Sequence, residues 1–419
     1  MNPLAAIKRS IYLLQLENYH LLRFIKASLR SPQKASPNIT WTPKLVMVSF
    51  LSLILQVTIA YWGAMVLGRW ITFFVFLYTL SFFYFILLTV STILVTPIDY
   101  PLKQYLILKA KKKISSLRPK LKIVGITGSY GKTTTKEVIA SILAQKFKVL
   151  KTPENFNTPL GVSRFVLKEV SNDTEILVVE MGAYKRGDIK KLCRLAPPDV
   201  AVLTGINESH LERFGSLQNT VRTKFEILEG LRNSGLAVLN ADNALVVENS
   251  GKFFKGTPLF YTSGKHPLAF VQTEKAKFNP KSLGLDLTLT RGNTKYNFTV
   301  PFLGKYIAGA IGAGITIADK LGLTKEQVKK GVAQLRPLPH RLEIVSSKNG
   351  VVVIDDSYNG NPNGVREAIN ALSQFKQKRK IYVTPGLVEM GGVSPVVHKQ
   401  IGEELAPVAD LVILIRNSV

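Results

Sequence analysis

The sequence predicts an α/β protein: a doubly wound parallel sheet built around a phosphate-binding loop, then a second, Rossmann-like α/β unit, all preceded by two transmembrane helices. Three observations predict it. From Leu121 onward, short apolar runs alternate with helical patterns, as helices on both faces of a parallel sheet require. The first of those runs breaks at a glycine-rich turn that opens on Lys-Thr-Thr. Two long uncharged apolar stretches lie ahead of it.

The chain has 419 residues, a formal net charge of +27 and 46% hydrophobic residues. That length accommodates two or three domains, and the charge calls for an anionic partner: nucleic acid, a membrane surface or a phosphorylated substrate. The single cysteine, Cys193, excludes an intrachain disulfide and a cysteine-rich metal site, and fits a reducing compartment. The sequence carries no zinc spacing, no aromatic RNA-binding signature and no DNA-reading helix, so no nucleic-acid partner is expected.

The basic segment 1–44 includes helical apolar spacing over residues 4–30 (Ile7, Ile11, Leu14, Leu21, Leu22, Ile25) among lysines and arginines. This suits either an interfacial helix on an anionic leaflet or a helix packed on the soluble body. Segment 45–98 is expected to be a transmembrane hairpin. Leu45–Gly68 and Ile71–Ile98 are each long enough to cross a bilayer, with Gly68, Arg69 and Trp70 at the joint. Basic residues flank both ends, Lys8 to Lys44 before and Lys103 to Lys113 after, so both ends face the cytoplasm by the positive-inside rule. A lipid bilayer is thus one expected partner, the cytoplasmic membrane the expected location, and 99–120 a basic linker to a cytoplasmic body.

Within that body, Ile123–Ile126 reads as a buried strand, Gly128 and Gly131 break it, and a helix opens at Lys132. A strand, a glycine turn and Lys-Thr at a helix start form a polyphosphate site. The glycines let backbone N–H groups approach the oxygens, and the helix N-terminus adds positive potential. Gly128, Ser129, Tyr130, Gly131, Lys132, Thr133 and Thr134 are therefore the candidate ATP-binding residues. Lys132 would reach the β/γ-phosphates and Thr133 would ligate Mg²⁺. The common spacing is not met, because Ile126 stands where the first glycine belongs.

Further strands are expected at Lys122–Thr127, Ile176–Glu180, Val200–Thr204 and Leu236–Asn240, a β-rich patch at about 258–301 and a helix at about 305–321. The stiff Leu335-Arg-Pro-Leu-Pro339 divides a body at 121–336 from one at 337–419, where a second unit starts at Val351–Asp355.

Several local patterns follow in order: Asn155-Phe-Asn-Thr-Pro-Leu-Gly161, Val178-Val-Glu-Met-Gly182, Ser209-His-Leu-Glu-Arg-Phe-Gly-Ser216, Thr223-Lys-Phe-Glu-Ile227, Asn240-Ala-Asp-Asn243 and Asp355-Asp-Ser-Tyr-Asn-Gly-Asn-Pro362. Together with the loop they resemble the Mur ligase family over roughly Lys122 to Gly392. The resemblance is nearest to the branch that joins D-alanyl-D-alanine to a UDP-N-acetylmuramoyl tripeptide. It implies ATP-dependent amide ligation through an acyl phosphate, with ATP and Mg²⁺ as cofactors. It also implies roles for individual residues. Glu180 and His210 would hold Mg²⁺, although His210 also reads as a hydrogen-bonded structural histidine. Lys224 matches the lysine that the family carbamylates, which would add a second anionic metal ligand; a solvated helix lysine is the plainer reading. Glu226 reads as an ordinary helix surface charge. Arg341 and Asp356 would reach the nucleotide from the last unit, with Asp355 a structural acid and Asn359 and Asn361 shaping a turn. Asn155 and Thr158 would face the substrate, with Asn157 shaping their loop.

Three features depart from the family pattern. Residues 1–120 stand where the family usually has a small domain for the UDP-sugar. The pattern G-[KR]-H-N-x-x-N reads Gly304-Lys-Tyr-Ile-Ala-Gly-Ala310, so Tyr306 replaces the histidine, and Ile307 and Ala310 the asparagines. The last unit stops at Val419, shortly after a strand-like Leu411–Ile415. Two alternatives therefore stand beside the ligase on a soluble substrate: a ligase or amidotransferase acting on a lipid-linked precursor, and a non-catalytic ATP-binding membrane scaffold.

Overall fold

The computed structural model describes residues 2–17, 19–29, 39–209, 211–358, 360–388 and 390–415, in two compact units, 1–106 and 107–419. The first is helical: α1 (Pro3–Leu16), α2 (Leu21–Leu29), α3 (Pro43–Leu67), α4 (Trp70–Phe82) and α5 (Tyr84–Leu117), whose last turns belong to the second unit. Caps mark the helix starts. Asn2 accepts the Leu4 N–H ahead of Pro3, and Thr42 accepts the Leu45 N–H ahead of Pro43.

The hairpin joint forms where the sequence places it. Gly68 takes a left-handed conformation (φ 63°), and the Arg69 N–H donates back to the Ala64 carbonyl at 3.3 Å. The second apolar stretch differs from expectation. It is not one helix from Ile71 to Ile98, because the irregular turn at Phe83 divides it into α4 and α5. No glycine or proline announces that break. Helix α5 then continues through most of the 99–120 stretch, to Leu117. Inside the hairpin, buried polar side chains pair across the helices. Ser52 Oγ donates to Ser91 Oγ at 2.9 Å, and the Gln56 amide donates to Ser81 Oγ at 2.9 Å and to the Leu77 carbonyl at 3.0 Å. By length and composition α3 and α5 could each cross a membrane, and only 28% of each apolar window is buried.

The second unit alternates β1 (Lys122–Thr127), α6 (Lys132–Leu143), β2 (Val149–Lys151), α7 (Pro159–Glu169), β3 (Ile176–Glu180), α8 (Asp188–Leu195), β4 (Val200–Leu203), α9 (Leu211–Phe214), α10 (Leu217–Glu229), β5 (Leu236–Asn240), α11 (Ala244–Phe253) and β6 (Leu259–Tyr261). The β-rich patch supplies β7 (Ala269–Asn279), β8 (Gly284–Arg291) and β9 (Thr294–Val300), followed by α12 (Tyr306–Lys320) and α13 (Lys325–Ala333). One nine-stranded sheet results, in the order β2-β3-β1-β4-β5-β6-β7-β8-β9, parallel as far as β7 and antiparallel beyond it. All four strands expected in the parallel part are present; short β2 and β6 carry too few apolar residues to announce themselves.

The chain leaves β1 toward β2 and β3 on one side, whereas β4 and β5 lie on the other. The carboxyl end of β1 is thus a switch point, where ligands of such sheets gather. Apolar cores cover both faces: α7, α8 and α10 pack on one, α6 and α12 on the other. The C-terminal part holds β10 (Glu343–Lys348), β11 (Val351–Asp355), α14 (Pro362–Ser373), β12 (Ile381–Thr384), α15 (Ser394–Leu405) and β13 (Leu411–Leu414). Its strands form an antiparallel β10–β11 pair and a parallel β12–β13 pair.

Two helix glycines test this packing with opposite signs. A Cβ on Gly331 of α13 would stand 2.6 Å from the Ile142 Cα of α6, whereas one on Gly251 of α11 meets nothing within 4 Å. Gly331→Ala should cost about 1–3 kcal/mol by overpacking, and Gly251→Ala should add about 0.5–1 kcal/mol through helix propensity. Thermal denaturation of the detergent-solubilised protein should show a lowered midpoint for the first and a raised one for the second.

Candidate functional site

The loop is shaped by close backbone approaches at the end of β1. A Cβ on Gly128 would lie 2.0 Å from Thr204 Oγ1, so only glycine fits against the strand-end residue after β4. Gly131 holds a left-handed φ of 74° at the start of α6. The Ser129 N–H donates to the Gly205 carbonyl at 2.7 Å, and a Cβ on Gly205 would strike the Tyr130 ring at 2.4 Å. Thr204 Oγ1 donates to the Tyr130 carbonyl, and the Asn243 amide donates to the Tyr130 hydroxyl at 3.3 Å. Lys132 Nζ folds over the loop, 2.8 Å from the Gly128 carbonyl. Burial lowers its pKa, Glu180 opposes that shift and Arg341 adds to it.

Directly beneath lies a buried carboxylate. Register pairing sets Glu180 of β3 opposite Ile126 of β1. Its Oε2 accepts from Thr133 Oγ1 at 3.0 Å and its Oε1 from the Asn157 amide at 3.1 Å, and Lys136 Nζ, itself 1% exposed, stands 3.7 Å away. Lys136 was not anticipated, because a lysine one helical turn past the loop lysine gives no sign of being buried. Asn157 also shapes its loop, as expected: its carbonyl accepts the Gly182 N–H at 2.9 Å.

The C-terminal part reaches the same place. Arg341 donates to Thr133 Oγ1 at 3.3 Å and to Glu154 at 3.0 Å, and its guanidinium stacks on the Tyr358 ring at 4.1 Å. Asn155, at a left-handed φ of 66°, accepts from the Tyr358 hydroxyl at 2.9 Å. Thr158 caps α7 through the Gly161 N–H, a structural duty beside its expected substrate role. The Asn207 amide donates to Asn363 at 2.7 Å and to Asn361 at 3.3 Å, tying the loop after β4 to the start of α14. Asn361 caps that helix, and Asp355 pairs with His340 at 2.6 Å. Asp356 accepts the Leu342 N–H at 3.1 Å; crowding by the surrounding protein pushes its carboxyl up to about 6.

Lys224 of α10 is buried, 5.6 Å from the Phe214 ring centre, and forms no ion pair among the described residues. Desolvation first, then the nearby Lys132, hold its amine well below its usual pKa. The solvated-lysine reading of Lys224 is thus set aside. Glu226 needs the same correction. It is buried, and it accepts the Gly187 N–H at 2.7 Å and the Lys190 N–H at 3.0 Å, closing the positive end of α8. Its distant partner in sequence left no local signal. Cys193 on α8 is buried, with a thiol pushed up to about 12, and is chemically quiet. His210 and Asn359 lie outside the described residues.

A cavity of about 400 Å³ opens between the loop and the C-terminal part, lined by Gly131, Thr134, Tyr306, Ala310, Asp356 and Glu367 among others. Of the positions that depart from the family pattern, Tyr306 and Ala310 face this cavity, while Ile307 is fully buried in the core between α12 and the sheet. The residues fit a magnesium nucleotide. Loop N–H groups and a helix start lie at one end of the cavity, and Thr133 and Glu180 offer a hydroxyl and a carboxylate. Mg²⁺ asks little more than that from the protein, because waters and phosphate oxygens complete its shell.

Comparison with known proteins agrees with this geometry. The family model "Mur ligase middle domain" matches residues 126–318, and "Mur ligase, glutamate ligase domain" matches 340–418. The UDP-N-acetylmuramoyl-tripeptide–D-alanyl-D-alanine ligase of Bacillus subtilis is 32% identical over 287 residues, 68% of this chain and 60% of the relative. The Escherichia coli enzyme of the same name is 31% identical over 288 residues, 67% of this chain and 61% of the relative. The chain thus spans about three-fifths of the length of these relatives. Among solved structures, MurF from Acinetobacter baumannii superposes with a TM-score of 0.69 at 26% identity, covering 75% of this chain and 68% of that one. MurF ligase from Thermotoga maritima in complex with ADP gives 0.68 at 28%, covering 75% and 71%. With the phosphate loop, the buried Glu180 and the matched domains in sequence order, the chain belongs to the Mur ligase family.

Proposed function

We propose that this chain is an ADP-forming carbon–nitrogen ligase that adds D-alanyl-D-alanine to a UDP-N-acetylmuramoyl tripeptide. The observation that carries the reading is the buried Thr133–Glu180 pair at the mouth of the loop, surrounded by Lys132, Lys136 and Arg341. Arg341 pairs with Glu154 and Lys136 with Glu137, whereas Lys132 makes no ion pair among the described residues and is the cation left to meet a triphosphate.

The loop amides and Lys132 would hold the β- and γ-phosphates, and Asp356 and Arg341 the nucleotide from the C-terminal side. Thr133, Glu180, His210 and a carbamylated Lys224 would hold Mg²⁺, which neutralises charge on the transferring phosphoryl group. The tripeptide carboxylate takes that phosphoryl group and ADP leaves. The amine of D-alanyl-D-alanine then attacks the acyl carbon, and phosphate departs. Lys132 and Arg341 stabilise the equatorial oxygens during the transfer, a task of positioned charge rather than of proton movement. Asn155 and Thr158 lie on the loop where the peptide would enter. A low Lys224 pKa serves carbamylation, because the neutral amine is the form that attacks CO₂.

The apolar surfaces left open on α3 and α5 favour a second reading: a ligase held at the inner face of the cytoplasmic membrane and acting on a lipid-linked precursor. A soluble UDP-linked acceptor turned over in preference to a lipid-linked one would argue against it.

Purified protein given UDP-linked tripeptide, D-alanyl-D-alanine and Mg·ATP should release ADP and the pentapeptide product. Lys132→Ala should lower turnover at least about a hundredfold, Glu180→Gln should raise the Mg²⁺ requirement, and chelation should abolish activity; nucleotide-dependent product formation that survives Lys132→Ala would sink the reading. With ¹³C-bicarbonate, wild type should show a carbamate carbonyl resonance that Lys224→Arg lacks. That signal should fade as pH is lowered, since protonation removes the attacking amine. On cell fractionation the chain should stay with the membrane pellet through high-salt and alkaline washes; recovery in the supernatant would overturn the spanning assignment.

A further inference from the structure

We infer that Lys136 is a positioning residue for the metal site, a built-in counter-ion that holds Glu180 ready and passes to Glu137 when Mg²⁺ binds. This deepens the reading of Thr133 and Glu180 as a magnesium site and rests on it.

Four charges of alternating sign run outward from that site. The Glu180 side chain is 5% exposed, Lys136 1%, Glu137 25% and Lys151 47%. Lys136 Nζ lies 3.7 Å from Glu180 Oε2 and 3.6 Å from Glu137 Oε1. Both distances exceed a hydrogen bond, so the ammonium stands midway between two carboxylates and is committed to neither. A lysine that only neutralised Glu180 would close to about 2.8 Å, the length of a charge-assisted bond. Lys151 of β2 holds the other Glu137 oxygen, which leaves Oε1 facing Lys136.

Burial makes an alternative partner necessary, because an ammonium taken out of water needs a carboxylate beside it at every stage. Lys136 is the one ion-pair partner of Glu180 among the described residues. Arg341 pairs with Glu154, and Lys132 Nζ rests on the Gly128 carbonyl. The Glu180 oxygen nearest Lys136 is also the one that accepts from Thr133, the hydroxyl on the metal side. A cation arriving at Thr133 and Glu180 therefore repels the Lys136 ammonium at close range. Glu137 is where that ammonium can go, and half-exposed Lys151 can turn to water in exchange. Lys136 and Mg²⁺ thus compete for Glu180, and Glu137 sets how easily they exchange.

Full-length protein in detergent with saturating ADP would be titrated with Mn²⁺, and free Mn²⁺ followed by its electron paramagnetic resonance. The metal-free thermal midpoint would be recorded in chelator. Lys136→Met should lower that midpoint, because Glu180 loses its counter-charge, yet bind Mn²⁺ about fivefold more tightly. Glu137→Gln should leave the metal-free midpoint near wild type and weaken Mn²⁺ about fivefold. In the double variant that weakening should vanish, because Glu137 acts only through Lys136. Should Lys136→Met fail to fold, Lys151→Met decides. It leaves Glu137 to Lys136 alone and should tighten Mn²⁺, and unchanged or weaker binding would overturn the inference. So would a Lys136→Met protein that binds Mn²⁺ no more tightly than wild type, or a Glu137→Gln effect that is absent or persists without Lys136; each leaves the metal site intact. No Mn²⁺ uptake by wild type would overturn the magnesium site itself, and the inference with it.

Discussion

One buried negative charge organises the second unit. Glu180 sits at the carboxyl end of β3, 4% exposed, and its two oxygens gather Thr133 from the loop helix, Asn157 from the loop before α7 and Lys136 from the next turn of α6. A carboxylate in such a place is costly unless its partners are well placed. Each of those partners therefore has its position set by the same atom pair. Through Thr133 the constraint passes to Arg341, and from Arg341 to Tyr358 and Asn155. The C-terminal part is thus held to the phosphate loop by polar contacts that converge on one charge.

That arrangement also explains the loop's unusual spacing. With Ile126 fully buried between neighbouring strands, the position taken by a first glycine elsewhere is a core position here. The tight turn is delegated to Gly128, pressed against Thr204, and to the left-handed Gly131. Strand pairing of β1 with both β3 and β4 brings Glu180 and Thr204 to the same edge.

Much of this was readable in the residues alone, where local signals are strong. Apolar runs marked β1, β3, β4 and β5, Gly68 marked the hairpin joint, and the spacing of Gly128, Gly131, Lys132 and Thr133 marked the loop. Readings failed where the deciding partner is distant in sequence. Glu226 carries the pattern of a surface charge, yet its partners are amides on α8, nearly forty residues away in sequence. Lys136 and Lys224 look like solvated helix lysines, and only the packing of other elements buries them. Phe83 divides an apolar run that contains no breaker residue, so composition could not foresee α4 and α5 as separate helices.

Glu226 and Lys224 share helix α10 with one residue between them, so their side chains leave its axis roughly 200° apart. One faces the site and the other grips the start of α8. A helix gripped at one flank by Glu226 cannot roll without breaking that hold. The aim of the Lys224 amine is consequently inherited from α8, through the Glu226 hold. The direction of the buried Lys224 amine is set by an anchor at the back, and α10 works as a fixed spindle rather than as a lever.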